Sequence, residues 1–122
     1  MNIPALLIGR ILLAVPFLVL GLMHFPGAES MAGMVPAWMP GGVLWVYVTG
    51  VANILAGVAF ITGKQARLAG QLTALMMLIF ILAVHLPGMS NPAMAQMSMI
   101  AILKDLGLAG GALLITHIAS SK

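Results

Sequence analysis

The sequence predicts an all-α membrane protein in which four transmembrane helices form one antiparallel bundle. Of the 122 residues, 62% are hydrophobic and only 6% are charged, whereas about 25% are charged in a typical soluble domain. A single domain of this length cannot hide so much apolar surface, so lipid must surround much of it. The strict polar–apolar alternation of a barrel strand is absent. The crossings are therefore expected to be helices, whose backbone groups are satisfied within the segment, and residues 1–122 form a single domain.

Four apolar runs define the predicted helices. Each reaches about 20 residues, the length that crosses about 30 Å of hydrocarbon at 1.5 Å per residue. The first run contains Arg10 and lacks a small-residue cleavage site, so we predict a retained helix and not a signal peptide. The runs cover roughly residues 3–25, 43–62, 66–86 and 94–118.

The short turn between the second and third runs predicts the orientation in the membrane. It carries Lys64 and Arg67, two of the five basic residues, while the other two connections carry none. The positive-inside rule places this turn in the cytoplasm. Both termini are then expected on the cytoplasmic side.

Composition also argues against several classes of function. The chain has no cysteine, which excludes a disulfide framework, a thiol nucleophile and cysteine-ligated metal sites. Its few charged side chains are too scattered for a nucleic-acid surface. A Walker-type loop and a G-x-S-x-G motif are both absent. A hydrolase is therefore not expected, whereas other enzymatic activity stays open.

Polar residues inside the apolar runs form the first candidate site. Lys104 and Asp105 lie about ten residues into the fourth run, where an ionised group costs several kcal/mol unless it is paired or hydrated. Arg10 lies one to two turns into the first run, and Asn53 lies at a comparable depth to Asp105 in the second. These residues predict a polar pocket that binds a ligand headgroup or relays protons, or an Arg10–Asp105 ion pair that fixes the helix register. A third alternative is a different span boundary, with the Lys104 ammonium reaching the interface. Asn53 either lines that pocket or forms interhelical hydrogen bonds.

His24 and His85 form a second candidate site, for a metal ion or haem. Both begin H-x-P-G segments that lie 61 residues apart, an offset that suggests an internal repeat of two helical hairpins. The alternative is that Pro and Gly simply end the two helices.

Eight of the eleven methionines lie in or beside the two predicted outward segments, and the other three are not expected near either histidine. Thioether and imidazole groups suit Cu(I), and two facing histidines can ligate haem, although interfacial hydrogen bonding is the alternative role.

Five short segments and one histidine form a recognisable pattern along the chain. The segments are GRILLA at 9–14, GLMHF at 21–25, LAG at 55–57, GKQARLA at 63–69 and LKDLGLAGG at 103–111, with His85 near the end of the third run. With these segments in this order, the chain resembles the DoxX family of small four-helix bacterial membrane proteins over nearly its full length. The resemblance implies a compact bundle in the bacterial inner membrane, with Arg10, His85, Lys104 and Asp105 around a polar pocket. Many relatives carry Glu near the position of Asn53 and Asn at that of Asp105, which suggests that any acid role has moved or been lost.

The resemblance implies a function associated with redox chemistry, because a related small subunit belongs to a thiosulfate:quinone oxidoreductase. We expect an accessory component that binds a quinone-like molecule, with the lipid bilayer and a redox protein as partners. Rival hypotheses are a small-solute or proton transporter, a Met/His copper or haem protein, and a scaffold. The glycines at 107–111 also predict self-association into a homo-oligomer. The residues expected to bind the ligand are Arg10, Asn53, His85, Lys104 and Asp105.

Overall fold

The computed structural model describes residues 4–120, and every regular element within them is helical. Four of the helices are long and apolar enough to cross a membrane. This confirms the predicted all-α fold with four spans, and the chain is a multi-pass membrane protein. The orientation of the termini stays a prediction. The helices are α1 (Ala5–Met23), α2 (Ala28–Ala32), α3 (Val43–Thr62), α4 (Ala66–Gly88) and α5 (Ala95–Ser120).

The four spanning helices pack mainly as two hairpins, α1 with α3 and α4 with α5. In the first hairpin Gly21 lies against Gly50, where a Cβ on Gly21 would come within 2.9 Å of the Gly50 carbonyl oxygen. Small residues allow helix backbones to approach closely in membranes, where packing replaces the hydrophobic effect as the driving force. The two hairpins differ in detail, because Gly9 faces open space whereas Gly70, its counterpart 61 residues on, is tightly enclosed.

The apolar core fills the half of the bundle that lies towards the turn between α3 and α4. At its centre the rings of Phe17 and Phe60 meet edge to face, with 5.6 Å between their centroids. Such aromatic pairs contribute about 0.5–1.5 kcal/mol beyond the burial of their area. The packed half ends near the middle of the helices. Its buried members are Ala14, Phe17, Ala56, Phe60, Ala66, Ala74, Met77, Ala109, Ala112 and Ile115.

Arg10 of α1 caps the end of α3. Its Nε donates a hydrogen bond to the carbonyl oxygen of Phe60 and its Nη2 to that of Ile61, both at 2.8 Å. The last four carbonyls of a helix lack partners within the helix, and a cation is favoured at that end. Gly63 follows with a left-handed φ of 79°, and a Cβ there would lie 2.8 Å from Arg10 Nη2. Glycine therefore satisfies both the backbone conformation and the space that Arg10 occupies.

We expect Arg10→Met to lower the free energy of unfolding by about 1–3 kcal/mol, because two charge-assisted hydrogen bonds to helix carbonyls are lost. The stability of Arg10→Lys should lie between those of the wild type and Arg10→Met, because an ammonium keeps the charge but cannot bond in the same forked geometry. Unfolding of the detergent-solubilised protein, followed by circular dichroism, measures both variants. Wild-type stability in Arg10→Met would contradict the capping role.

The helix α4 widens into a π-helical turn at Ile81–His85 and then continues to Gly88. In a regular α-helix the ring of Pro87 would collide with the carbonyl of the residue four positions earlier. The wider turn accommodates the proline, so α4 extends beyond the predicted end at residue 86. By contrast, α1 ends at Met23, before Pro26. The two H-x-P-G segments therefore differ in structure, since the first follows the end of α1 whereas the second forms the last turn of α4. Both segments lie where a helix ends, as the helix-end alternative expects.

Candidate functional site

A half-open cavity of about 540 Å³ occupies the half of the bundle opposite the core. Side chains from α1, α3, α4, α5 and the connection at residues 24–42 form its wall, most of them apolar. Its volume falls within the range of about 300–1,000 Å³ that is typical of small-molecule sites. The cavity extends from the middle of the bundle towards the connections that follow α1 and α4.

Methionines contribute much of the apolar wall. Met31, Met34 and Met39 reach it from the connection between α1 and α3, and Met76 and Met77 reach it from α4. Met76 and Met77 lie on α4, nine and eight residues before His85, which is about 12–14 Å at 1.5 Å per residue. They therefore border the same cavity as the histidines but lie at a different depth from His85. Unbranched, polarisable thioethers suit a wall that adapts to its contents.

Asp105 lines the cavity between two basic side chains, Lys104 and His85. The residue is only 2% exposed, and its Oδ1 lies 3.5 Å from Lys104 Nζ. Its Oδ2 lies 3.2 Å from His85 Nε2, but the geometry is not that of a hydrogen bond and Oδ2 has no hydrogen-bond partner among the described residues. The Lys104 side chain remains 46% exposed. One buried carboxylate thus faces two basic side chains, while its Oδ2 accepts no hydrogen bond from a described residue.

Asn53 supplies a second buried polar group from α3. It is 4% exposed, and no described residue donates a hydrogen bond to its Oδ1. The expected interhelical hydrogen bond is therefore not made by this oxygen. A buried acceptor without a donor costs about 1–3 kcal/mol, and native structures contain few of them. Asn53 and Asp105, on different helices, both line the cavity, and each carries a buried oxygen that accepts no hydrogen bond from a described residue.

His24 and His85 both border the cavity, as the metal hypothesis requires. His24 Nδ1 lies 2.6 Å from the carbonyl oxygen of Leu20. A carbonyl only accepts hydrogen bonds, so Nδ1 is the donor and a neutral ring keeps its lone pair on Nε2. Within residues 4–120, however, no group of three or more His, Asp and Glu side chains is placed to hold a metal ion.

Arg10 lies outside this cavity, contrary to its predicted place in the binding site. It borders a separate cavity of about 100 Å³ beside Gly63 and Ile115. The alternative Arg10–Asp105 ion pair is not formed either. Ile115 is ten residues from Asp105 along α5, which is about 15 Å at 1.5 Å per residue and exceeds the reach of an arginine side chain. Depth along the helix axis separates the two charges.

The structure brings four of the five predicted residues to one cavity: Asn53, His85, Lys104 and Asp105. It adds Thr49, one helical turn before Asn53 on the same face of α3. The sequence signal for Thr49 was its spacing from Asn53. His24 also borders the cavity, although the sequence suggested it as a metal ligand or an interfacial hydrogen-bonding residue and not as part of this pocket.

Comparisons with known proteins bear on the family and not on the activity. No curated protein and no solved structure matches the chain. The matching family model spans residues 13–104, which include Asn53, His85 and Lys104 but neither Arg10 nor Asp105. Since this range covers most of the chain, the protein belongs to the family described as a domain of unknown function, DUF8561.

Proposed function

We propose that the chain binds a quinone-like small molecule in the large cavity, as an accessory component of a redox system in a bacterial inner membrane. The observation that carries the proposal is the make-up of the cavity wall, which is mostly apolar but includes the neighbouring polar side chains of His85, Lys104 and Asp105. An aromatic head with oxygen substituents fits this polar group, and an apolar tail fits the rest of the wall. The resemblance to the DoxX family supports the same function.

The polar side chains suit the oxygen atoms of such a head. Lys104 has three N–H donors for an oxygen acceptor, and Asp105 offsets its charge. His85, beside Asp105, carries ring nitrogens that can donate or accept a hydrogen bond. With no cysteine in the chain, we assign electron transfer to a partner protein and binding of the ligand to this chain.

The cavity is open to its surroundings along the spanning helices. Val48 of α3 and Ile79 of α4 line it and are themselves exposed. These positions lie inside the spanning helices, so a lipid-soluble ligand has access from the membrane. The packed core around Phe17 and Phe60 lies between the cavity and the other end of the bundle, which favours binding over transport through the bundle.

Trp45 provides the test of binding, because it lines the cavity whereas Trp38 is 75% exposed and does not. In a Trp38→Phe background, we expect decylubiquinone to quench the Trp45 fluorescence in a saturable manner. Ala83→Phe should reduce the affinity about tenfold or more, since the added ring occupies the cavity. Leu106→Phe, on the exposed face of α5, is the matched control and should bind normally. Absence of saturable quenching, together with absence of any quinone in mass spectra of the purified protein, would refute the proposal.

A copper(I) site is the second candidate function. The observation that favours it is that His24 and His85 share their cavity with five methionines, and imidazole and thioether ligands suit Cu(I). Metal analysis of the purified protein and anaerobic titration with Cu(I) test this candidate. Stoichiometric Cu(I) binding that is lost in His24→Ala would favour it over the quinone.

A further inference from the structure

The unpaired oxygen atoms in the cavity specify the chemistry of the ligand head. Resting on the proposed quinone-like ligand, we infer that the cavity selects the reduced hydroquinone over the quinone of the same ring and tail. The preference arises from hydrogen-bonding capacity alone, and no electron transfer within the chain is involved.

Asn53 Oδ1 is the first of these atoms. An amide oxygen only accepts hydrogen bonds, and this one is buried at the cavity without a donor from residues 4–120. A ligand that fills the cavity also excludes water from this oxygen. The ligand must therefore bring its own donor, or the acceptor stays unpaired at a cost in affinity.

Asp105 Oδ2 is the second unpaired atom. An ionised carboxylate has only acceptors, and Lys104 lies next to the other oxygen, Oδ1. His85 Nε2 is 3.2 Å from Oδ2 but does not hydrogen-bond to it. A hydroxyl from the ligand would give Oδ2 a charge-assisted hydrogen bond, which is about twice as strong as a neutral one.

His24 adds a third acceptor at the same cavity. Its Nδ1 donates to the Leu20 carbonyl, so the neutral ring presents the lone pair of Nε2. Lys104, with its N–H donors, can bond to the oxygen of either redox form and does not discriminate between them.

The two redox forms differ in what they offer these acceptors. A quinone carries carbonyl oxygens, which only accept hydrogen bonds and leave Asn53 Oδ1 and Asp105 Oδ2 unpaired. A hydroquinone carries two hydroxyl groups, and each can donate one hydrogen bond. Sites built around a hydrogen bond to a hydroxyl discriminate strongly against analogues that cannot form it.

Anaerobic calorimetric titration of the detergent-solubilised full-length protein with decylubiquinol and decylubiquinone tests the inference. We expect the quinol to bind at least about tenfold more tightly. Asn53→Leu, which removes the acceptor at similar volume, should weaken quinol binding about tenfold and quinone binding less, since a quinone can use only the Nδ2 donors of Asn53. Asp105→Asn, which offers an amide donor, should reduce or reverse the preference. Thr73→Val changes a buried polar residue that does not line the cavity and should retain the wild-type preference.

The outcomes separate this inference from the proposed function. Equal binding of both forms, or tighter binding of the quinone, overturns the inference and leaves the quinone site standing. Failure of both forms to bind overturns both. A quinol preference that persists in folded Asn53→Leu and Asp105→Asn also overturns the inference, because the preference would then have another source. Circular dichroism establishes whether each variant is folded. If only one of the two variants folds, its quinol preference alone is compared with that of the wild type.

Discussion

Replacing Gly70 by alanine is expected to lower the free energy of unfolding by about 3 kcal/mol, near the upper end of the usual cost of overpacking. Gly70 lies where α4 meets α5, and a Cβ there would come within 2.5 Å of the Ala112 carbonyl oxygen. It would also collide with the Thr116 hydroxyl, which bonds to that carbonyl at 3.1 Å. Because the obstacle is backbone, a side-chain rotation cannot remove it. The two helices must move apart, and the contact of the second hairpin weakens along its length.

Gly107→Ala is the matched control on α5. A Cβ at Gly107 meets nothing within 4 Å, and alanine is a better helix former than glycine by about 1 kcal/mol. We therefore expect Gly107→Ala to be neutral or slightly stabilising. Unfolding of both variants in the same detergent, followed by circular dichroism, makes the comparison. Equal losses of stability would contradict the packing assigned to Gly70.

The glycines of α5 also bear on the predicted homo-oligomer. Within residues 4–120, Gly111 packs against Leu13, while Gly107 and Gly110 contact nothing. The G-x-x-x-G motif therefore does not act as a unit inside the bundle, and self-association through its open glycines stays a prediction. Crosslinking of wild-type protein and Gly107→Ala in mild detergent tests it, since an added methyl group should weaken a close helix–helix contact.

Replacing Lys104 by methionine is expected to lower the free energy of unfolding by about 2–3 kcal/mol. Asp105 is almost fully buried, and removal of its cationic neighbour leaves a carboxylate facing only His85. Breaking a fully buried ion pair from one side costs about 3–5 kcal/mol. We expect less here because the Lys104 side chain is half exposed, so the pair is only partly buried.

The double variant Lys104→Met/Asp105→Asn distinguishes this explanation from a loss of packing. It removes both charges together, so it should be more stable than Lys104→Met alone, and the double-mutant cycle should show strong non-additivity. Lys64→Met, in the exposed turn between α3 and α4, should leave stability unchanged. If Lys104→Met proved as stable as wild type, the carboxylate would not depend on its lysine neighbour, and the charge cluster would lose its assigned role.

Much of the fold was predictable because the composition of each segment indicates whether lipid or water surrounds it. Runs of about 20 apolar residues must span lipid as helices, and α3 occupies the predicted residues 43–62. The α4 end was predicted less well, because the π turn before Pro87 reflects local backbone accommodation and not hydrophobicity. Lys104 and Asp105 were recognisable because charge inside a spanning helix requires a partner.

Other parts of the site could not be predicted, because they depend on distances between side chains on different helices. Arg10 and Asp105 carry complementary charges, yet their depths in the bundle differ by more than an arginine can reach. His85 of α4 meets Asp105 of α5, and methionines from α4 and from the connection after α1 border the same cavity.

The sequence by itself determined the medium, the number of helices and the residue types that must avoid lipid, since each of these follows from transfer free energies along the chain. Only the tertiary structure decided which polar groups meet and where space remains between the helices. The physical reason is that helix rotation and axial offset are set by close packing at a few small residues, such as Gly21, Gly50 and Gly70. Those contacts leave a cavity bordered by two unpaired oxygens, and the proposed ligand chemistry depends on it.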